Sequence, residues 1–332
     1  MKPRICLLFV VLLALVACTP TPTVTPTISP LETPVAEAPL PVVRYANFRV
    51  YDPVYVALEK GFFTQRGVQV EIIGDVLGGP TAIQAVASGS AEAGLSSLPA
   101  IVNANAAGLP IVGVSDIQSA LPDQPLEYYY VRCDSGIESL ADLPGKTFAV
   151  NLWRSSFHYT ALMALEKEKI AEDSLEWVLL SFDNQIPALA NGEVDVIGLM
   201  EPYNGYARAN YGDEFCLLFD ALDVFGPKQF TTHFVNRVWA QYNPEAAEAF
   251  VGGIADAAAW IEQNQEEAKG IIAQYTGVEA QFVPEYHFQE NAAVIEDDVS
   301  FWLNYLVRRG DVTVDWLNPA EIATNRYNPA LK

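Results

Sequence analysis

From Val42 onward, short apolar runs alternate with stretches whose apolar residues recur every three to four positions. The runs predict strands over 42–47, 69–73, 111–114, 147–150, 177–180, 194–200 and 215–218, and the helical spacing between them predicts helices over 53–60, 81–88, 99–107 and 157–169. Strands and helices alternating at this spacing predict parallel α/β sheets. The last third changes character: 244–263, 266–275 and 297–309 form successive amphipathic helices that pack around an existing sheet. Several helices open alike, at Asp52-Pro53, Ser97-Leu98-Pro99, Ser155-Ser156 and Glu201-Pro202. Proline is preorganised for a first helical turn, and Asp or Ser before it caps free N–H groups. In doubly wound sheets the carboxyl ends of the strands face a crevice, where helix starts offer N–H groups and a positive dipole. The pattern therefore predicts a cleft lined by helix starts.

The first residues have a different design. Lys2 and Arg4 precede an apolar run over 5–16 that is too short for a bilayer, which needs about 20 such residues. The run closes in Leu15-Val16-Ala17-Cys18, which resembles the bacterial lipoprotein lipobox. That resemblance implies removal of residues 1–17 and a diacylglycerol on Cys18. Residues 18–41 are rich in Thr and Pro, a composition that cannot bury a core and favours a semi-rigid extended tether. Anchor and tether place the body on the outer face of the bacterial cytoplasmic membrane, in the extracytoplasmic or periplasmic space.

Composition narrows the function. A chain of 332 residues with 51% hydrophobic residues is not disordered, and its length exceeds what one core ordinarily holds. The formal charge of −22 argues against nucleic acid as a partner, because phosphates are held by Lys and Arg, and no basic cluster is denser than Arg308-Arg309. Of the four cysteines, Cys6 leaves with the leader and Cys18 takes the lipid. Cys133 and Cys216 fit either a disulfide or two separate buried thiols. Neither sits at metal-ligand spacing, and no metal or cofactor is expected. The sequence carries no GxSxG, HExxH or phosphate loop.

A run of motifs then carries a family resemblance. They are 53–63 (PVYVALEKGFF), 67–71 (GVQVE), Gly78-Gly79-Pro80, 85–89 (AVASG), the 98–110 helix ending Gly108-Leu109-Pro110, 140–146 (LADLPGK), Trp153-Arg154-Ser155-Ser156, 188–195 (ALANGEVD) and Glu201-Pro202-Tyr203. In this order they resemble the substrate-binding proteins of ABC importers for nitrate, sulfonates, taurine and thiamin-precursor pyrimidines. One departure is Glu92, where that family usually has Asp. The resemblance implies a type II periplasmic-binding fold, two α/β lobes joined by a two-strand hinge with ligand between them. It implies a first lobe over 42–130, a second over 131–229, and 230–332 returning to the first lobe with C-terminal helices. The partners implied are a small organic solute, sulfonate- or taurine-like or pyrimidine-like, and an importer's permease and ATPase, with the chain a monomer. A sensor feeding a membrane kinase shares every one of these features. A pyrimidine-precursor or carbohydrate-active enzyme on the same fold is the catalytic alternative, and binding without catalysis is the main reading.

The same resemblance sets the candidate ligand-binding residues: Asn47, Tyr51, Asp52, Ser96, Ser97, Trp153, Arg154, Ser155, Ser156, Glu201, Tyr203 and His233. Arg154, Ser155 and Ser156 stand at a strand end opening a helix, where a guanidinium, two hydroxyls and free N–H groups suit an anionic oxygen group. Asp52 and Glu201 are either helix caps or cleft carboxylates; in the cleft they repel a simple anion and favour a ligand with an amine or ring N–H. Six aromatics, Tyr45, Phe48, Tyr51, Trp153, Tyr203 and Phe230, are placed for a ring or alkyl chain, and half of them are expected to miss it. For His158 and His233 the plainer role is hydrogen-bonded scaffold.

Overall fold

The computed structural model describes residues 39–332. The leader, the lipidation site at Cys18 and the tether as far as residue 38 lie outside the described residues. Among the described residues ten strands form two five-stranded sheets: β1 (Val42–Asn47), β2 (Gln69–Asp75), β3 (Ala93–Ser97), β4 (Ile111–Ala120), β5 (Tyr128–Arg132), β6 (Thr147–Val150), β7 (Glu176–Leu179), β8 (Val196–Leu199), β9 (Phe215–Asp220) and β10 (Lys228–Asn236). The first sheet has the order β2-β1-β3-β10-β4 and the second β7-β6-β8-β5-β9. The chain passes from the first sheet to the second between β4 and β5, and returns between β9 and β10.

The sheets are mixed rather than all parallel. β10 runs antiparallel to both β3 and β4, and β5 antiparallel to both β8 and β9. Each crossing strand inserts into a sheet whose other members are joined by helical crossovers, so it enters from the opposite end.

Two strands differ from the hydrophobic pattern for a physical reason. β4 runs on through Ser115-Asp116-Ile117-Gln118-Ser119, all buried, because β10 supplies polar partners. His233 Nδ1 meets Ser115 Oγ at 3.0 Å, Gln229 Nε2 donates to Asp116 Oδ1 at 2.8 Å, and Thr231 Oγ1 donates to Gln118 Oε1 at 2.9 Å. Buried polar groups paired in this way extend a strand that an apolar run alone does not mark. β3, Ala-Gly-Leu-Ser-Ser, has almost no apolar signal and is identified by pairing with β1 and β10.

Helix starts follow the expected chemistry. Asp52 caps Pro53–Glu59, accepting from Val54 N at 2.9 Å, and Ser155 caps Ser156–Lys167. The C-terminal helices Pro244–Gln263, Gln265–Thr276 and Glu296–Arg309 pack largely on the first sheet's helices. At the far end of the last helix, Arg309 reaches the second lobe: its guanidinium contacts Glu166 at 2.5 Å and Glu172 at 3.0 Å, as well as Asp311 at 3.2 Å. Cys133 and Cys216 form a disulfide, closing the β5–β9 edge of the second sheet with a Cα–Cα distance of 5.0 Å. Among the described residues no helix is long and apolar enough to cross a membrane.

Candidate functional site

The carboxyl ends of β1, β2 and β3 in the first lobe face those of β6, β7 and β8 in the second. Gly78-Gly79 makes the close approach possible. A Cβ on Gly79 would meet Ser96 Oγ at 2.2 Å, and one on Gly78 would meet Leu152 Cδ1 of the second lobe at 3.0 Å. The loop after β2 is thereby seated between Ser96 on one side and Asn151-Leu152 on the other. Ser96 Oγ and Asn151 Oδ1 are both buried without a hydrogen-bond partner among the described residues, and buried polar atoms left this way are uncommon enough to mark a site.

Beside them lies a cavity of about 200 Å³. Phe48 and Arg49 from the end of β1, Val76 and Leu77 from the end of β2, Ser181 to Asp183 at the start of the Phe182–Ala190 helix, and Tyr203 at the start of the Tyr203–Tyr211 helix form its walls. Phe182 stacks on Tyr203 with ring centroids 5.6 Å apart. One wall is thus a fixed aromatic surface, with an arginine and a carboxylate at the margin.

Glu201 lies at the floor of the second lobe's contribution, preceding a cis peptide bond to Pro202. Its carboxylate accepts from Asn204 Nδ2 at 2.7 Å and from Gly205 N at 3.0 Å, while burial raises its pKa above the usual carboxylate value. Asn204 is itself held by Tyr130, whose hydroxyl donates to Oδ1 at 2.7 Å. Tyr51, across the cleft, is fully buried and stacks on Tyr286 at 4.3 Å; both hydroxyls lack a partner among the described residues.

The structure sorts the candidate residues. Tyr203 lines the cavity, Ser96 abuts Gly79, and the Glu201 carbonyl accepts from the main chain of Tyr51, whereas Ser97 stands at the N-cap of the Leu98–Ala106 helix without a side-chain bond. Asn47 is buried at the end of β1 and accepts from Tyr55 Oη at 2.5 Å. Asp52 and His233 meet in a buried network: the fully buried Asp52 carboxylate accepts from Val54 N, takes the Tyr45 hydroxyl at 2.5 Å and meets His233 Nε2 at 3.0 Å. With three partners already in place, that carboxylate has little left for a ligand.

The residues expected to cradle an anion make the following contacts. Ser155 Oγ accepts from His158 N as the helix cap, and Ser156 lies against the buried carboxyl of Glu127. Arg154, at φ 60°, is exposed, and its guanidinium makes no hydrogen bond or ion pair among the described residues. Trp153 is 45% exposed and packs edge-on to His158 at 4.8 Å. Of the six aromatics, Phe48 and Tyr203 line the cavity; Tyr45 is bound to Asp52, and Phe230 packs on Phe225 and Trp302 in the core.

Sequence reasoning missed Arg49, Asn151, Asp183 and Tyr286. Arg49 and Asn151 each follow a predicted strand within two residues, so proximity to strand ends was the available signal. Tyr286 had none, since it comes from an irregular segment far along the chain. Among the described residues no three His, Cys, Asp or Glu side chains gather to hold a metal ion.

Two α/β lobes with a cleft between their strand ends form a type II periplasmic-binding fold. The chain belongs to the family described as NMT1/THI5 like, whose model matches residues 50–268. A formylaminopyrimidine-binding protein from Halalkalibacterium halodurans is 33% identical over 99 residues, which is 30% of this chain and 28% of that protein's length. The alkanesulfonate-binding protein SsuA from Xanthomonas axonopodis pv. citri, solved with MOPS bound, superposes with a TM-score of 0.71 at 19% identity over 87% of this chain and 99% of that one. A desulfurization enzyme, DszB, shares the fold at a TM-score of 0.62 and 16% identity, over 88% of this chain and 99% of the enzyme.

Proposed function

We propose that this protein is the extracytoplasmic solute-binding component of an ABC-type importer, lipid-anchored at Cys18, monomeric, and that it binds without chemical turnover. Its ligand is a small pyrimidine-like solute held between the lobes. The observation that carries this reading is the interlobe cavity, with Phe48 and the Phe182–Tyr203 stack as walls and Arg49 and Asp183 at its margin. At about 200 Å³ it falls below the ~300–1,000 Å³ of sites that take drug-sized molecules, which limits the solute to about one small ring and its substituents. Flat aromatic walls suit a ring, and the Asp183 carboxylate at the margin suits an amine or ring N–H more than a sulfonate or nitrate. The family match and the formylaminopyrimidine-binding relative support the same class.

The test is thermal unfolding of residues 42–332 after refolding to strip any retained ligand, against formylaminopyrimidine, aminopyrimidines, taurine, alkanesulfonates and nitrate. A ligand that binds only the native state raises the midpoint. The expected result is a rise with pyrimidines that Tyr203→Ala abolishes; a rise with sulfonates alone, or with none of the panel, overturns the reading.

A further inference from the structure

We propose that a second cavity, which shares Tyr203 and Asp183 with the cleft cavity, is a binding site for an organic ammonium cation. It measures about 410 Å³ and lies between the Phe182–Ala190 and Tyr203–Tyr211 helices of the second lobe and the segment 277–282 that follows the Gln265–Thr276 helix. Its volume is within the range of sites for small organic ligands.

The walls have the chemistry of an aromatic cage. Tyr206 and Phe282 meet at 89° with ring centroids 5.4 Å apart, forming a corner of one ring face and one ring edge. Tyr203 and Tyr211 complete the aromatic lining, and each is held in place from behind, Tyr203 by Phe182 and Tyr211 by Phe215 at 4.8 Å. Rings backed in this way are set before a ligand arrives, which lowers the ordering cost of binding. An ammonium or quaternary nitrogen over such faces is attracted by the ring quadrupoles.

Charge points to the same class. The lining includes two carboxylates, Asp183 and Glu279, and no Lys, Arg or His. Glu279 Oε2 accepts from Gln281 at 2.8 Å, and Asp183 makes no hydrogen bond or ion pair among the described residues. The overall charge of −22 raises the local concentration of cations further. The corner itself depends on Gly205: a Cβ there would stand 1.9 Å from the carbonyl oxygen of Phe282, so only glycine lets segment 277–282 close the cavity.

The cleft shares Asp183 and Tyr203 with this cavity, so the discriminating variants are Tyr206→Ala and Glu279→Gln, which touch the second cavity alone. The experiment is titration calorimetry of the folded chain with tetramethylammonium chloride and with choline chloride, against sodium chloride at equal ionic strength. Saturable binding is expected, weakened about tenfold by Tyr206→Ala, about threefold by Glu279→Gln, and little by Tyr206→Phe, which keeps the ring face. Tyr206 is partly exposed, so its truncation should leave the fold intact, as a circular dichroism melt will verify. Absence of saturable binding, or binding that Tyr206→Ala leaves unchanged, overturns the proposal. Pyrimidine binding measured on the same variants is independent of it: retained pyrimidine affinity with no cation binding removes this site and leaves the cleft reading standing.

Discussion

The main-chain N–H of Tyr51 donates to the carbonyl of Glu201 at 3.3 Å, a direct bond between the first lobe's loop after β1 and the second lobe's loop after β8. The loop on the Glu201 side is fixed by that residue's own carboxylate, which holds Asn204 and Gly205. Glu201→Ala leaves the buried Asn204 amide and the partly buried Gly205 N–H unpaired, and should lower stability by about 1–3 kcal/mol. Urea unfolding with an unchanged slope but a lower midpoint will show this; an unchanged midpoint would mean that water replaces the carboxylate at no cost.

Asp52 makes a contrasting case. Its carboxylate joins Tyr45, Val54 and His233 in a fully buried network. Asp52→Ala is expected to cost about 2–4 kcal/mol, with both a helix cap and a buried pair lost, while ligand affinity of the surviving folded protein stays within about twofold. A large loss of affinity without loss of stability would place Asp52 in the binding site instead.

Stability should fall as the solution becomes more alkaline. Burial pushes the Glu127 carboxyl up to about 8 from an ordinary 4.5, with Tyr129 donating to it at 2.8 Å, and burial pushes Asp116 up to about 7 from 3.8. Each keeps its proton in the folded chain where the unfolded chain has lost it, so its contribution is full below the ordinary value and lost as pH rises through the raised one. His158, lowered by burial to about 4 from 6.5, acts in the opposite sense, adding stability as pH rises between those values. Above pH 6.5 His158 no longer adds to the slope. Urea midpoints between pH 6.5 and 8 should decline for the wild type and decline less for Glu127→Gln, which imitates the protonated acid; parallel slopes would sink this assignment.

The Cys133–Cys216 bridge closes a loop with a sequence separation of 83. Closing a loop of this size removes entropy from the unfolded chain, and a paired Cys133→Ser, Cys216→Ser variant should lose about 2–4 kcal/mol. Both cysteines are exposed, so a mild reductant should produce the same loss without denaturant. Equal unfolding curves with and without reductant would show that the bridge contributes nothing.

Much of this architecture was legible because apolar runs, prolines at helix starts and motif order all point the same way. β1 and β6 match their apolar runs, and the 244–263 helix its amphipathic stretch, since burial sets each of these patterns. β3 was hidden because Gly94 and Ser96 are required by close packing under Phe234 and beside Gly79, which leaves no apolar run to detect. The second half of β4 was hidden because its polar side chains are answered from β10, 113 to 118 residues away in sequence. The site was legible only in part. Strand ends and helix starts located the cleft, yet whether a carboxylate such as Asp52 faces ligand or scaffold depends on the position of His233, and Tyr286 enters from a segment with no local pattern.

Arg309 gives the molecule a property of a different kind. Its guanidinium sits on a helix packed against the first lobe while two of its three carboxylate partners, Glu166 and Glu172, ride on the second. Any rotation that parts the lobes on that side strips the cation of two of its three counter-charges, and at about 0.15 M salt such partly exposed attractions fade over about 8 Å. Arg309 is therefore an ionic latch, and the ease with which the two halves swing apart becomes a function of the salt around them.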